Sequence, residues 1–197
     1  MDRRLSLLED LVKSLSLRDP VHGWEHIERV RKLCRYIASR YGGPVDLEIL
    51  DLAALLHDVG RFVGDSGHHS EVSAEFAEKI LRILGYGEDK ISRVVSAITS
   101  HSYSYGREPE TIEGKILSDA DKIDAMGAVG VARTFMLGGL WGRGIDETLK
   151  HFEEKLLKLY GRLYLEVSRE IARDRFEFLE KFYKQIRGEL GAGERPS

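Results

Sequence analysis

Apolar residues recur every three to four positions along almost the whole chain, which is the period of an α-helix with one buried face. The alternation typical of strands is almost absent. Asp19-Pro20, Gly42-Gly43-Pro44 and Gly85 interrupt the helical pattern, because proline and glycine end helices. These stripes and breaks predict helices around residues 5–15, 27–41, 46–58, 72–84, 91–101 and 111–125.

The second part of the chain is less regular. Residues 126–144 are rich in glycine, which predicts a mixture of helix and loop. Two long charged helices are predicted between residues 146 and 190, and residues 191–197 are expected to form a loose tail. A chain of 197 residues has the length of one domain. We therefore expect an all-α fold, a single-domain helical bundle over residues 1–190.

Composition excludes several classes of function. A net charge of −3 and a pI near 6.2 argue against a nucleic-acid footprint. The single cysteine, Cys34, excludes an internal disulfide and favours a cytoplasmic location. The best membrane candidate, residues 123–142, contains Asp124, Arg133 and five glycines, so we expect no membrane span. The absence of asparagine, with Gln185 as the one glutamine, is typical of thermophilic proteins. The oligomeric state stays open.

The stretch "AALLHDVGR", residues 53–61, places a histidine and an aspartate directly after small apolar residues. A helix with this run should be buried on most sides, and an unpartnered buried carboxylate is unfavourable. His57-Asp58 therefore either caps a helix near the surface or binds a cation.

Further histidines and acids favour the cation. Six of the seven histidines lie in the first 101 residues, most of them beside acidic residues. His26, His57, Asp58 and Asp121 would together supply imidazole and carboxylate ligands, which suit Mn²⁺, Fe²⁺, Co²⁺, Ni²⁺ or Zn²⁺, with Mg²⁺ as an alternative. Taken singly, each histidine is more often a hydrogen-bonded core residue, and "SDADKID" is more often a solvated acidic face.

The order of these residues resembles the H…HD…D signature of the HD superfamily of metal-dependent phosphohydrolases. Small stand-alone members are similar in "GWEHIERV", "LLHDVGR", "AITSHSYS", "DADKIDAMGAVGVARTF" and "HFEEKLLKLY". The resemblance implies a helical bundle of the HD type in which His26, His57, Asp58 and Asp121 bind a divalent transition metal. It also implies hydrolysis of a phosphate ester or anhydride of a small phosphorylated substrate, in the first place a nucleotide, by a metal-activated water.

Asp58 and Lys122 are the candidate catalytic residues. Asp58 would orient or deprotonate the water, and Lys122 would neutralise charge on the phosphoryl group. Several nucleotidase and alarmone-hydrolase relatives carry a glutamate three or four residues after the HD aspartate, where Arg61 and Phe62 stand here. The general base is therefore not assigned.

Four further residues are candidates for binding the substrate. Arg29 and Arg61 would hold phosphate, or equally form surface salt bridges. His69 and His101 are expected to face the phosphate, although comparable histidines hold a second ion in relatives with two metals. We expect one ion per chain. The alternatives are a dinuclear phosphodiesterase or iron oxygenase of the HD type, and a non-catalytic module that binds a nucleotide.

Helical periodicity and the family pattern indicate different acids of "SDADKIDA" as the metal ligand. Helical periodicity places Asp124 nearest the centre of the buried stripe, with Asp119 and Asp121 toward its edges. The family pattern matches Asp121. We favour Asp121, because a ligand in a cleft should lie at the edge of a stripe, and expect Asp119 and Asp124 to support the site.

Overall fold

The computed structural model describes residues 3–17, 19–64, 67–102 and 106–191. These residues form helices and turns and no strand, which confirms the all-α fold. The α-helices are α1 Arg3–Ser16, α2 Trp24–Tyr41, α3 Leu47–Leu56, α4 Gly60–Val63, α5 His69–Ile83, α6 Glu88–His101, α7 Ile112–Asp124, α8 Gly127–Leu140, α9 Ile145–Glu154 and α10 Glu166–Gly191. Of the predicted tail, Gly191 ends α10 and residues 192–197 lie outside the described part.

The chain divides after Asp121 into two compact units. The first contains α1 to α6 and most of α7, and the second contains the end of α7, α8, α9, two short 3-10 helices and α10. A single domain over residues 1–190 stays a prediction.

Helix α3 forms the centre of the first unit. Its N-cap residue is Asp46, whose carboxylate accepts hydrogen bonds from the backbone N–H groups of Glu48 and Ile49, both at 3.1 Å. Because α1, α2, α5 and α6 all contact α3, its apolar residues from Ile49 to Leu56 are buried. The helix therefore carries His57-Asp58, at its C-terminal end, into the interior.

Helix α5 buries a different face from the one its large apolar residues suggest. Among the large apolar residues of segment 72–84, Ile83 is 78% exposed, and Val72, Phe76, Ile80 and Leu84 are only partly buried. The buried residues of α5 are Ser70, Ser73, Ala74, Ala77 and Leu81. Small side chains allow α5 to approach α4 and α6 closely. The size of the side chains, more than their hydropathy, therefore determines which face of α5 is buried.

In the second unit, the glycine-rich segment is more helical than expected. Helix α8 continues through Gly130 and Gly138 and ends before Gly142, whose φ is +68°. A Cβ atom on Gly138 would lie 2.3 Å from Thr148 Oγ1, and one on Gly130 would lie 2.2 Å from the carbonyl oxygen of Ala125. These two glycines therefore permit close packing instead of breaking the helix.

The two long charged helices expected between residues 146 and 190 are unequal. Helix α9 ends at Glu154, and the 3-10 helices Leu156–Lys158 and Tyr160–Arg162 separate it from α10. In the described part of the chain no single helix has both the length and the apolar composition of a membrane span, and only the bent pair α7 and α8 meets that test jointly.

Candidate metal centre

His26 lies in the first turn of α2, and a tight turn before this helix fixes its position. The Asp19 carboxylate accepts hydrogen bonds from the backbone N–H groups of Val21 and His22, both at 2.7 Å. A Cβ atom on Gly23 would lie 2.1 Å from the carbonyl oxygen of Asp19, so only glycine fits where α2 begins. The turn thereby places His26 in the interior, where it is 2% exposed.

His57 and Asp58 lie in the turn between α3 and α4, and Gly60 holds this turn against α5. The backbone N–H of Gly60 donates to Ser73 Oγ at 2.8 Å. A Cβ atom on Gly60 would lie 2.4 Å from the carbonyl oxygen of His69. The close approach of Gly60 to α5 therefore brings His57-Asp58 next to the helix that begins with His69.

Helices α6 and α7 supply the remaining candidates. His101 is the last residue of α6, and its carbonyl oxygen accepts a hydrogen bond from Ser118 Oγ on α7 at 2.8 Å. Asp121 lies one turn beyond Ser118. Sequence reasoning missed the positioning roles of Ser73 and Ser118, because neither serine stands in a motif.

The two oxygens of Asp58 face two groups of imidazoles. Oδ2 lies 3.6 Å from Nε2 of His26 and 3.9 Å from Nε2 of His57, and these two nitrogens are 3.3 Å apart. Oδ1 lies 3.4 Å from Nε2 of His69 and 3.9 Å from Nε2 of His101. Within the described ranges, both groups of three residues have the spacing of a possible metal site.

Asp121 extends the first group. Its Oδ1 lies 3.5 Å from Nε2 of His26, and its side chain is 33% exposed. The structure thus brings together all four residues predicted as metal ligands, with Asp121 on the solvent side. Asp124 is fully buried and bonds Arg133, with 2.6 Å between Oδ2 and Nη1, and Asp119 is also fully buried.

Backbone carbonyls orient two of the imidazoles. His57 Nδ1 donates to the carbonyl oxygen of Ala54 at 2.8 Å, and His101 Nδ1 donates to that of Ile98 at 2.5 Å. A ring whose proton is held on Nδ1 presents a lone pair on Nε2 when it is neutral. Both rings therefore aim a metal-binding atom at Asp58.

The charge states of the cluster suit metal binding at neutral pH. Burial, together with the nearby imidazoles, lowers the pKa of His57 to about 4. Burial and the Arg61 guanidinium lower the pKa of His69 to about 3. Burial alone would raise the pKa of Asp58, but the Arg61 guanidinium and the imidazoles hold that pKa well below its usual range. Two neutral imidazoles and an ionised carboxylate are the forms that bind a metal.

One atom of the cluster has no hydrogen-bond partner among the described residues. Asp58 Oδ1 is buried and accepts no hydrogen bond in the part of the chain described, although Asp58 is ionised. A bare carboxylate oxygen is unfavourable in a protein interior unless a cation compensates its charge. The donors and this unsatisfied oxygen fit a divalent ion, which answers the question raised by the buried His57-Asp58 pair.

The other predicted site residues lie in different surroundings. Arg61 contacts Asp58, with 2.8 Å between Nε and Oδ2, and its Nη2 donates to His69 Nε2 at 3.2 Å. Arg29 is partly exposed on α2, one turn beyond His26. Lys122 is buried in the second unit, where its ammonium group lies 4.5 Å from the ring centroid of Tyr164.

Comparison with known proteins identifies the family. The family model of the HD domain matches residues 23–126, just over half of the 197 residues, and this segment contains all four predicted ligands. The chain belongs to the HD domain family. The resemblance inferred from the sequence is thereby confirmed.

Individual proteins are similar to this chain over most of its length. The uncharacterised protein YpgQ of Bacillus subtilis is 35% identical over 177 residues, which cover 86% of this chain and 84% of YpgQ. The crystal structure of YpgQ in complex with ADP has a TM-score of 0.78 at 33% identity, with 95% of each chain covered. An HD-superfamily hydrolase from Bacillus thuringiensis has a TM-score of 0.73 at 31% identity and covers 96% of this chain and 97% of its own.

Proposed function

We propose that this chain is a metal-dependent phosphohydrolase that cleaves a phosphate ester or anhydride of a nucleotide. The observation that carries the proposal is the bare, buried Oδ1 of Asp58 among converging imidazole nitrogens. A purely structural ion pair usually satisfies both oxygens of a buried carboxylate, whereas Asp58 keeps acceptor capacity beside imidazole nitrogens, which favours a cation.

His26, His57, Asp58 and Asp121 would hold the ion. When bound, a divalent ion lowers the pKa of a water molecule from 15.7 toward about 7 and polarises a phosphoryl oxygen. The imidazole ligands favour a transition metal over Mg²⁺, which prefers oxygen ligands.

The side chains around the ligands would bind and orient the substrate. With Asp58 and Asp121 ionised and Arg61 protonated, the three residues sum to −1, so a divalent ion would change the local charge to +1 and favour a phosphate. Arg61 offers a planar fork of donors that suits phosphate oxygens. Asp58 would orient the attacking water or accept its proton through Oδ1, which accepts no hydrogen bond from a described residue. Lys122 fits a phosphate-binding role less well, because its ammonium group is buried against Tyr164.

A nucleotide is the proposed substrate class because YpgQ has been crystallised with ADP and is similar over most of this chain. A dinuclear phosphodiesterase is the second candidate, since the group of Asp58, His69 and His101 has the spacing of another metal site.

A substrate panel tests the proposal. Metal-free protein is assayed for release of phosphate or pyrophosphate from nucleoside mono-, di- and triphosphates, and for cleavage of cyclic dinucleotides, with Mn²⁺, Co²⁺, Ni²⁺ or Mg²⁺. We expect hydrolysis of a nucleoside phosphate, higher with a transition metal than with Mg²⁺, and loss of it in His57→Ala. His151→Ala is the matched control, since His151 lies on α9 in the second unit. Full activity in excess chelator would contradict the proposal, and cleavage of the phosphodiesters alone would favour the second candidate.

A further inference from the structure

Asp58 stands between two incomplete sets of metal ligands. Its Oδ2, with the Nε2 atoms of His26 and His57, makes one set of three donors, and Asp121 extends that set. Its Oδ1, with the Nε2 atoms of His69 and His101, makes the other. A carboxylate that faces two sets through its two oxygens could bridge two ions.

The guanidinium of Arg61 contacts both sets. Its Nε lies 2.8 Å from Asp58 Oδ2, and its Nη2 lies 3.2 Å from His69 Nε2. A guanidinium can only donate and does not lose its proton in proteins. His69 must therefore accept this hydrogen bond with the Nε2 lone pair, the same lone pair that would bind a metal.

We propose that Arg61 takes the place of a second metal ion, so that the chain binds one ion, on the side of Asp58 Oδ2. This inference rests on the proposed metal-dependent function and explains why one ion suffices. With His69 Nε2 engaged, the second set retains only Asp58 Oδ1 and His101 Nε2. Catalytic zinc sites use three protein ligands. The two remaining donors, beside the positive charge of Arg61, are therefore not expected to hold a divalent ion.

The first set is not weakened in the same way. It retains both imidazoles and gains Asp121, and a carboxylate oxygen such as Asp58 Oδ2 can accept more than one partner. Arg61 therefore shares Asp58 Oδ2 with the first set, which keeps enough donors for a metal, and removes His69 from the second set.

Metal stoichiometry tests the assignment without reference to activity. Chelator-stripped protein is saturated with Mn²⁺, desalted and analysed for metal content and by EPR, in which two carboxylate-bridged ions are spin-coupled and a single ion is not. We expect one Mn²⁺ per wild-type chain with an uncoupled spectrum. Arg61→Met should bind two ions with a coupled spectrum, and Arg61→Gln provides the same test if the methionine variant does not fold.

Two further variants serve as controls. Arg29→Met removes a positive charge near His26 without freeing His69, so it should bind one ion. The double variant Arg61→Met/His69→Ala should return to one ion, because the second set again lacks a donor. Gain of a second ion by Arg29→Met, or its retention in the double variant, would show that the ion does not depend on His69.

The failures of the two proposals are distinguishable. Two ions in the wild type, or one ion in folded Arg61→Met and Arg61→Gln, would overturn the role of Arg61 and leave the metal-dependent function standing. No retained ion in any variant would overturn both.

Discussion

Asp58 and Asp124 are both buried aspartates near helix ends, yet their partners differ. Asp124 is fully buried, and its Oδ2 accepts a hydrogen bond from Arg133 at 2.6 Å. Asp58 is 2% exposed and contacts Arg61 through Oδ2, while its Oδ1 has no hydrogen-bond partner within the described residues. A guanidinium compensates the first carboxylate. The second has a bare oxygen among imidazole nitrogens, and this oxygen, not burial itself, indicates a site for a ligand.

Replacement of Asp58 should therefore abolish function but not the fold. In Asp58→Ala we expect turnover to fall on the order of 10³-fold or more, because the residue is both a ligand and the candidate for orienting the water. Metal content should fall with turnover, while far-UV circular dichroism should report unchanged helix content. Near wild-type turnover on a verified substrate would show that Asp58 is neither a ligand nor a base.

Replacement of Asp124 should have the opposite effect. Asp124→Ala leaves the guanidinium of Arg133 without its buried carboxylate, and breaking such a pair typically lowers the free energy of unfolding by about 3–5 kcal/mol. Urea denaturation measures the loss, and metal content should not change. Glu147→Ala is the control, since its pair with Arg143 is exposed and contributes at most about 1 kcal/mol. An equally small loss in Asp124→Ala would mean that the Asp124–Arg133 pair does not stabilise the fold.

Acid should destabilise the metal-free cluster. The folded-state pKa of His57, about 4, lies below its ordinary value of 6.5. Between these pH values the unfolded chain binds the proton more readily, so the free energy of unfolding falls as the pH decreases from 6.5 to 4. The pKa shift of His57 corresponds to a decrease of about 3 kcal/mol in the free energy of unfolding. Urea denaturation across this pH range, in the presence of chelator, measures the decrease in the free energy of unfolding. In His57→Gln, the part of this decrease that is due to His57 should disappear. An unchanged pH dependence in His57→Gln would contradict the assignment.

The smallest expected effect is a change in metal affinity that distinguishes the role of Asp121 from that of Asp124. Asp121 is partly exposed and contacts His26 at the edge of the cluster, so its loss should weaken metal binding roughly 10- to 100-fold without abolishing it. Titration of Asp121→Ala and Asp124→Ala with Mn²⁺ measures both affinities. Loss of metal in Asp124→Ala with retention in Asp121→Ala would show that helical periodicity, not the family motif, identifies the ligand.

Sequence reasoning succeeded where one local pattern determines the structure. The apolar run before His57 predicted a helix buried on most sides, and α3 is that helix. It failed on α5, where the buried face consists mainly of small serines and alanines and Ile83 is exposed. It also underestimated α8, because Gly138 serves close packing against Thr148, which no local pattern reveals.

The candidate site shows the same limit. The resemblance supplied the four candidate ligands, since they lie in short motifs along the chain. The contact of Arg61 with both Asp58 and His69 could not be read from the sequence, because it depends on how the turn after α3 packs against α5. The hydrogen bonds of Ser73 and Ser118 likewise join elements that are distant along the chain.

The cluster of His26, His57 and Asp58 is proposed to bind a metal. Anomalous diffraction from crystals of the Mn²⁺-loaded protein tests this proposal most directly, because it locates the ion without any assumption about substrate. We expect one strong peak within bonding distance, roughly 2.0–2.3 Å, of Nε2 of His26 and His57 and of the Asp58 carboxylate. Peaks confined to surface carboxylates, with none beside Asp58, would contradict it.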